Sequence, residues 1–150
     1  MSDLRLEELS AATIVAVNSM SLKPGQEQFL APVSYGMAAT VANPRTSWQR
    51  VVLAGNDVVG FISANFDPDE PNEYFRSVLW RINVDADDQR RGIGRFAIEA
   101  LLDEARTRGM DHVDVIYEVG DFGPQAFFEH VGFVPVAETQ FGETVARIQL

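Results

Sequence analysis

Three arginines and two glycines crowd one stretch of the chain, Asp85-Ala86-Asp87-Asp88-Gln89-Arg90-Arg91-Gly92-Ile93-Gly94-Arg95. The residues before it alternate like a strand and those after it follow a helical period, so the turn brings backbone N–H groups to a helix N-terminus. Such donors, with the positive end of the helix dipole, make an anion site. Gly92 and Gly94 let the backbone come close to a ligand. Helix starts favour acids, yet Arg90, Arg91 and Arg95 gather here in a chain of net charge −10. With no anion bound, that placement costs roughly a few tenths of a kcal/mol per arginine, and a bound diphosphate reverses the sign. The stretch has neither the G-K-[ST] of a Walker loop nor the third glycine of a Rossmann fingerprint. Taken alone, it also fits a solvated, arginine-rich turn.

Other chemistries have no support in the residues. The chain has no cysteine, which removes a disulfide framework, a thiolate metal site and a cysteine nucleophile. His112 and His130 are its two histidines and form no HExxH, and no G-x-S-x-G elbow occurs. No metal is expected. Charge narrows the partners: 12 basic against 22 acidic residues repel phosphate backbones and anionic lipid, so neither nucleic acid nor membrane is expected, while cations are attracted. Lys23 is the sole lysine beside eleven arginines, so each basic group is informative by its placement.

The elements that must position the loop fit in one domain, residues 1–150, long enough to bury about 70% of the unfolded surface. A hydrophobic content of 46% with 23% charged residues is that of a globular chain. No apolar run approaches the ~20 residues of a membrane span, and MSDLRLEELS carries no apolar leader, so a cytoplasmic location is expected. Leu4-Arg5-Leu6 reads as a short strand, and Ser10 as the cap of a helix through Ile14 and Val17. A second helix is expected over about 26–41, stopped by Asn43-Pro44. Trp48 to Leu53 and Val58 to Phe66 alternate around Gly55-Asn56-Asp57, a hairpin. An acidic, proline-containing loop over 67–72 leads to a strand from Phe75 to Val84. From Gly92 to about Arg108, Ile93, Phe96, Ala97, Ala100, Leu101 and Ala105 form one apolar stripe. A strand from His112 to Val119, a short helix from Gln125 to Val131, and strands around 133–135 and 144–150 complete the order. That order implies an α/β (α+β) fold, a mixed central sheet with helices on both faces.

These motifs resemble those of the GNAT acetyltransferases, the acetyl-CoA-dependent N-acetyltransferase superfamily. Gln89, Gly92 and Gly94 match its pyrophosphate pattern [QR]-x-x-G-x-[GA], between a fourth strand and a long helix. About forty residues on, Phe128-Glu129-His130-Val131-Gly132-Phe133 matches Y-x-x-x-G-F, with Phe128 in place of the tyrosine. The resemblance extends over nearly the whole chain to a bacterial branch described as diamine or spermidine acetyltransferases. It is carried by Phe29-Leu30-Ala31-Pro32 with Ser34, Val59-Gly60-Phe61, Leu79-Trp80-Arg81, Asp85, Phe133-Val134-Pro135, Glu138 and Gly142-Glu143. The chain departs from that branch at Ile82-Asn83-Val84 (Phe-Met-Ile expected), at Arg90 (Gly expected) and at Phe128.

The resemblance implies a sheet of about six to seven strands, acetyl-CoA as co-substrate, a small cationic amine as acceptor and a homodimer, since many relatives are dimers. It places the cofactor on the backbone of Ile82, Asn83 and Val84, on Gln89, Arg90, Arg91, Gly92, Ile93, Gly94 and Arg95, and beside Phe128. With no cysteine to carry an acetyl group, direct attack by the amine is the expected route. A polyamine nitrogen titrates near ~10, so a base must take its proton; Glu118 and Glu73 are the candidates. Phe128 has no proton to give a leaving thiolate, and Tyr117 on the preceding strand is the candidate that replaces it. Ser34, Glu73 and Trp80 are expected on the acceptor side. Two alternatives stand: the same reaction on a protein, peptide or antibiotic amine, and a non-catalytic acyl-CoA-binding module.

Overall fold

Gly55-Asn56 joins two alternating segments, and the tight turn fixes their register. In the computed structural model β2 (Ser47–Ala54) runs antiparallel to β3 (Asp57–Phe66), with Ala54 opposite Asp57. The structure describes residues 4–8, 10, 13, 16, 45–85, 92–118, 125–139 and 142–150. Before this hairpin stands β1 (Leu4–Glu8); after it come β4 (Ser77–Val84), α1 (Ile93–Thr107), β5 (His112–Tyr117), α2 (Gln125–His130), β6 (Val134–Glu138) and β7 (Thr144–Gln149). The seven strands form one mixed sheet in the order β1-β2-β3-β4-β5-β7-β6, in which the β4–β5 pair is parallel and the other pairs antiparallel.

β3 and β4 read as nearly continuous apolar runs because both lie in the middle of the sheet; every residue of β3 from Val59 to Phe66 is buried. The helical period over 93–107 puts Ile93, Ala97, Ile98, Leu101 and Ala105 on one stripe against Val52, Ile62, Leu79, Val113 and Val115. Ile98 belongs to this stripe, whereas Phe96 and Ala100 are half-buried at its edge. Full burial of a side chain such as Leu101 contributes about 1.5–3 kcal/mol. Phe128 of α2 joins the same cluster, so both described helices lie on one face. A smaller cluster of Val51, Leu53 and Phe61 marks the opposite face. The helix expected over 26–41 and most of the one expected after Ser10 lie outside the described residues; at Ser10 itself the amide donates to Thr13 Oγ1 at 3.0 Å.

One boundary differs from the sequence reading. Phe75, expected to open a strand, ends a 3-10 turn over Glu73–Phe75. Asn72 Oδ1 accepts from the Tyr74 amide at 3.0 Å and Arg76 Nε donates to the Glu70 carbonyl at 2.7 Å, which holds the chain in a turn until Ser77. Likewise β5 ends at Tyr117, two residues before the expected Val119.

Candidate functional site

The site begins with a fault in β4. Ser63 of β3 stands opposite Arg81 and Ala64 opposite Leu79, so Trp80 is an extra residue in β4, a β-bulge. A bulge bends its strand and increases the local twist. On its other side β4 pairs with β5 at Val78↔Asp114 and Leu79↔Val115 only, while β5 continues along β7 to Tyr117↔Thr144. Among the described residues the two parallel strands therefore run together up to the bulge and diverge beyond it. The wedge opens at their C-terminal ends, where open α/β sheets take ligands. Ile82, Asn83 and Val84 form its β4 wall.

The start of α1 stands at the same end of β4. Its N-cap is Gly92, in the left-handed region at φ 77°, with no side-chain cap and no acid in the first turn. A β-carbon there would add roughly 1–2 kcal/mol of backbone strain. The first helical bond runs from the Phe96 amide to the Gly92 carbonyl at 3.0 Å, leaving the amides of Ile93, Gly94 and Arg95 directed out of the helix end. Arg95 is exposed beside them. These donors fit a diphosphate. Gly94 has a packing reason as well: a β-carbon on it would lie 2.9 Å from two ring atoms of Phe127, so α2 docks directly on the first turn of α1.

On the β5 side of the wedge, Tyr117 is 2% exposed and Phe128 3% exposed. Their rings stack at 5.5 Å between centroids and 28° between planes, and Phe128 meets Phe133 edge-on at 5.6 Å. The Tyr117 hydroxyl is buried and, among the described residues, has no hydrogen-bond partner. Burial first, and the Glu129 carboxylate second, push its pKa up, so it remains a protonated donor at neutral pH. Glu118, the next residue, is exposed.

At the other end of β4 the 3-10 turn folds back on the bulge, with Phe75 and Trp80 ring centroids 5.3 Å apart. This contact brings Glu73, exposed on that turn, to the Trp80 side of the sheet. Asp114, 0% exposed, accepts from Arg147 Nε at 2.7 Å and Nη2 at 3.0 Å. That bidentate bond raises the Arg147 pKa against the opposing effect of burial, with the Asp114 charge and then the Glu73 carboxylate as lesser contributors. Arg81 lies one residue past the bulge, its guanidinium 5.9 Å over the Phe61 ring and its Nε donating to Asn83 Oδ1.

Of the residues singled out in the sequence, Ile82, Asn83, Val84, Gly92, Ile93, Gly94 and Arg95 meet around the wedge mouth, and Tyr117 with Phe128 on its β5 side. Glu73 opens the 3-10 turn whose Phe75 packs on Trp80, while Glu118 follows Tyr117 at the strand end. Ser34, Gln89, Arg90 and Arg91 lie outside the described residues. Sequence reasoning missed Phe127, the Asp114–Arg147 pair and the setting of Arg81. A lone basic residue in an apolar strand was the available signal for Arg81, and two acid and base positions in neighbouring strands the signal for the pair.

The wedge and the adjoining helix start make a fold suited to an extended, diphosphate-bearing ligand inserted between two parallel strands. A family model described as the acetyltransferase (GNAT) family matches residues 19–133, and the chain belongs to that family. It is 38% identical over 65 residues to a mycothiol acetyltransferase of Beutenbergia cavernae, covering 43% of this chain and 22% of that protein. It is 29% identical over 94 residues to the ribosomal protein bS18-alanine N-acetyltransferase of Salmonella typhimurium, covering 57% of this chain and 64% of that one. The chain thus spans less than two thirds of the length of either curated relative. The PaiA N-acetyltransferase of Thermoplasma acidophilum, solved in complex with coenzyme A, superposes with a TM-score of 0.75 at 11% identity, covering 99% of both chains, which shows a shared fold. No helix among the described residues is long and apolar enough to cross a membrane.

Proposed function

We propose that this chain transfers an acetyl group from acetyl-CoA directly to a primary amine of a small cationic acceptor of the polyamine or diamine kind. The observation that carries the reading is the divergence of β4 from β5 at the Trp80 bulge, beside a helix start that no acid and no side-chain cap occupies. Family membership supports acetyl transfer, and the net charge of −10 supports a cationic acceptor. Backbone groups of Ile82–Val84 hold the pantetheine arm as an added strand, and an N–H there polarises the thioester carbonyl. Gln89 to Arg95 hold the diphosphate. Trp80, Glu73 and Ser34 build the acceptor side.

The reaction forms a C–N bond and breaks a C–S bond, with the electron pair leaving on sulfur. Tyr117 gives its hydroxyl proton to the departing thiolate. Glu118 or Glu73, through solvent, takes the proton that the amine nitrogen loses, and the same solvent returns a proton to Tyr117. Protons balance, and no covalent enzyme intermediate is needed.

Thiol release from acetyl-CoA, measured with a panel of amines, tests the reading. Spermidine or a diamine is expected to react faster than neutral or acidic amines, with rates falling as salt rises. Turnover confined to a peptide or acidic acceptor, insensitive to ionic strength, would overturn the acceptor class. The phenylalanine at 128 favours one second reading, an acyl-CoA-binding module without turnover. Its signature is a rise in melting temperature with acetyl-CoA and no thiol release with any amine.

A further inference from the structure

Arg81 is the one charged side chain of β4, and its setting differs from that of its neighbours in kind. Leu79 and Ile82 point into the cluster under α1, whereas Arg81 lies against Phe61, which belongs to the cluster on the opposite face. Across the strand it faces Ser63, buried, and its Nε is held by Asn83, also buried. Arg5, Arg50, Arg106, Arg108 and Arg147 each have a carboxylate within ion-pair distance. Arg81 is half-buried and, among the described residues, has none. Burial lowers its pKa, the direction expected of a cation withdrawn from water without a counter-charge. A guanidinium carries five N–H donors, and the interactions described for Arg81 use the Nε donor alone, leaving both Nη groups for a ligand.

A cation kept in this state costs stability unless an anion completes it. Phe61 and Asn83 fix the plane of the guanidinium, so its Nη fork is already oriented for a planar, two-oxygen partner. Its position says which reactant brings that partner. The diphosphate site is at the start of α1, on the other face and at the far end of β4, while Arg81 adjoins the bulge where the wedge closes. We propose that Arg81 binds a carboxylate of the acceptor, so that the acetylated amine belongs to a small molecule carrying both an amine and a carboxylate. This rests on the acetyl-transfer reading and narrows its acceptor from diamines in general to those with a carboxylate, such as diamino acids. With two amines and one carboxylate, these keep the cationic character that the acidic chain attracts.

The test compares matched pairs that differ by the carboxylate: ornithine with putrescine, and lysine with cadaverine. In wild type, kcat/KM for ornithine or lysine is expected to exceed that of its decarboxylated partner by about 10-fold or more, chiefly through KM. Arg81→Met keeps the apolar stem over Phe61 and removes the fork; the ratio within the responding pair is expected to fall by about 10–100-fold, the range of a charge-assisted hydrogen bond. Arg81→Lys restores part of it. The rise in melting temperature with acetyl-CoA should persist in Arg81→Met. A ratio near one in wild type, or an equal loss for both members of a pair, overturns the proposal. Loss of the acetyl-CoA response overturns it too, because Arg81 would then serve the donor side. Should no amine turn over, acetyl transfer itself fails, and calorimetric titration of ornithine and lysine in the presence of coenzyme A still decides. Binding to wild type and not to Arg81→Met supports the proposal, and absence of binding by both probes overturns it.

Discussion

Replacing Tyr117 by phenylalanine should raise stability and lower catalysis at once. Phenylalanine keeps the ring that stacks on Phe128 at 5.5 Å and removes only the hydroxyl, which is buried and has no hydrogen-bond partner among the described residues. A buried polar group left in that state costs about 1–3 kcal/mol, and its removal returns that amount. For a domain of this size each kcal/mol corresponds to about 2–4 °C, so Tyr117→Phe should melt at least about 2 °C higher than wild type. The gain should grow in alkali. Because the folded pKa is raised, the folded state keeps its proton above pH ~10, where the unfolded chain loses it; the unfolded state then binds fewer protons and wild-type stability falls as pH rises. The variant lacks this loss. Catalysis should move the other way, with single-turnover acetyl transfer slowed by about 10-fold or more if the hydroxyl protonates the thiolate. Calorimetry with rapid-quench kinetics reads both effects. A variant that melts lower than wild type would mean that the hydroxyl is satisfied in solution, and a variant equally fast in single turnover would remove Tyr117 from the reaction.

Gly94→Ala should destabilise by about 1–3 kcal/mol, because its methyl group would fall 2.9 Å from the Phe127 ring, and Phe127→Ala should cancel much of that penalty in a double-mutant cycle by denaturant unfolding. Gly92→Asp places a carboxylate and a strained φ where the diphosphate is proposed to bind; it should abolish the rise in melting temperature given by acetyl-CoA, and an undiminished rise would remove that site. Arg147→Ala leaves the Asp114 carboxylate buried and without its bidentate partner; a loss of about 3–5 kcal/mol is expected in urea unfolding, far above the small effect of cutting the exposed Arg106–Asp103 pair.

How legible the molecule was in its sequence depended on the range of the interaction. The hairpin over Ser47–Phe66 and the helix α1 follow from local periods of two and 3.6 residues, and only the edge of the stripe shifted, with Ile98 inside it and Phe96 and Ala100 at its margin. Gly92 was legible by residue type, since a helix start needing a positive φ favours glycine. The bulge was not: Val78-Leu79-Trp80-Arg81 carries no turn residue, and the extra residue shows only against Ser63 and Ala64 of the neighbouring strand. Phe75 alternates as a strand residue would, but the Asn72 cap and the Arg76–Glu70 bond, both side-chain contacts, hold it in a turn. Phe127 lies in a helix of six residues, too short for a period to say which face packs, so its contact with Gly94 was invisible. Asp114 and Arg147 are 33 residues apart and meet only because β5 pairs with β7. Arg81 stood out in the sequence only as a lone basic residue in an apolar strand, since the missing carboxylate is a property of its surroundings.

The central claim is that the wedge beside α1 brings acetyl-CoA to an amine acceptor. Incubation of the purified chain with acetyl-CoA and a panel of diamines, diamino acids and peptides, followed by mass spectrometry of every amine, tests it most directly. The expected result is one or more N-acetylated small amines, formed in step with free coenzyme A thiol by wild type and not by Gly92→Asp. Acetylated product formed equally by both proteins, or by neither, would contradict it.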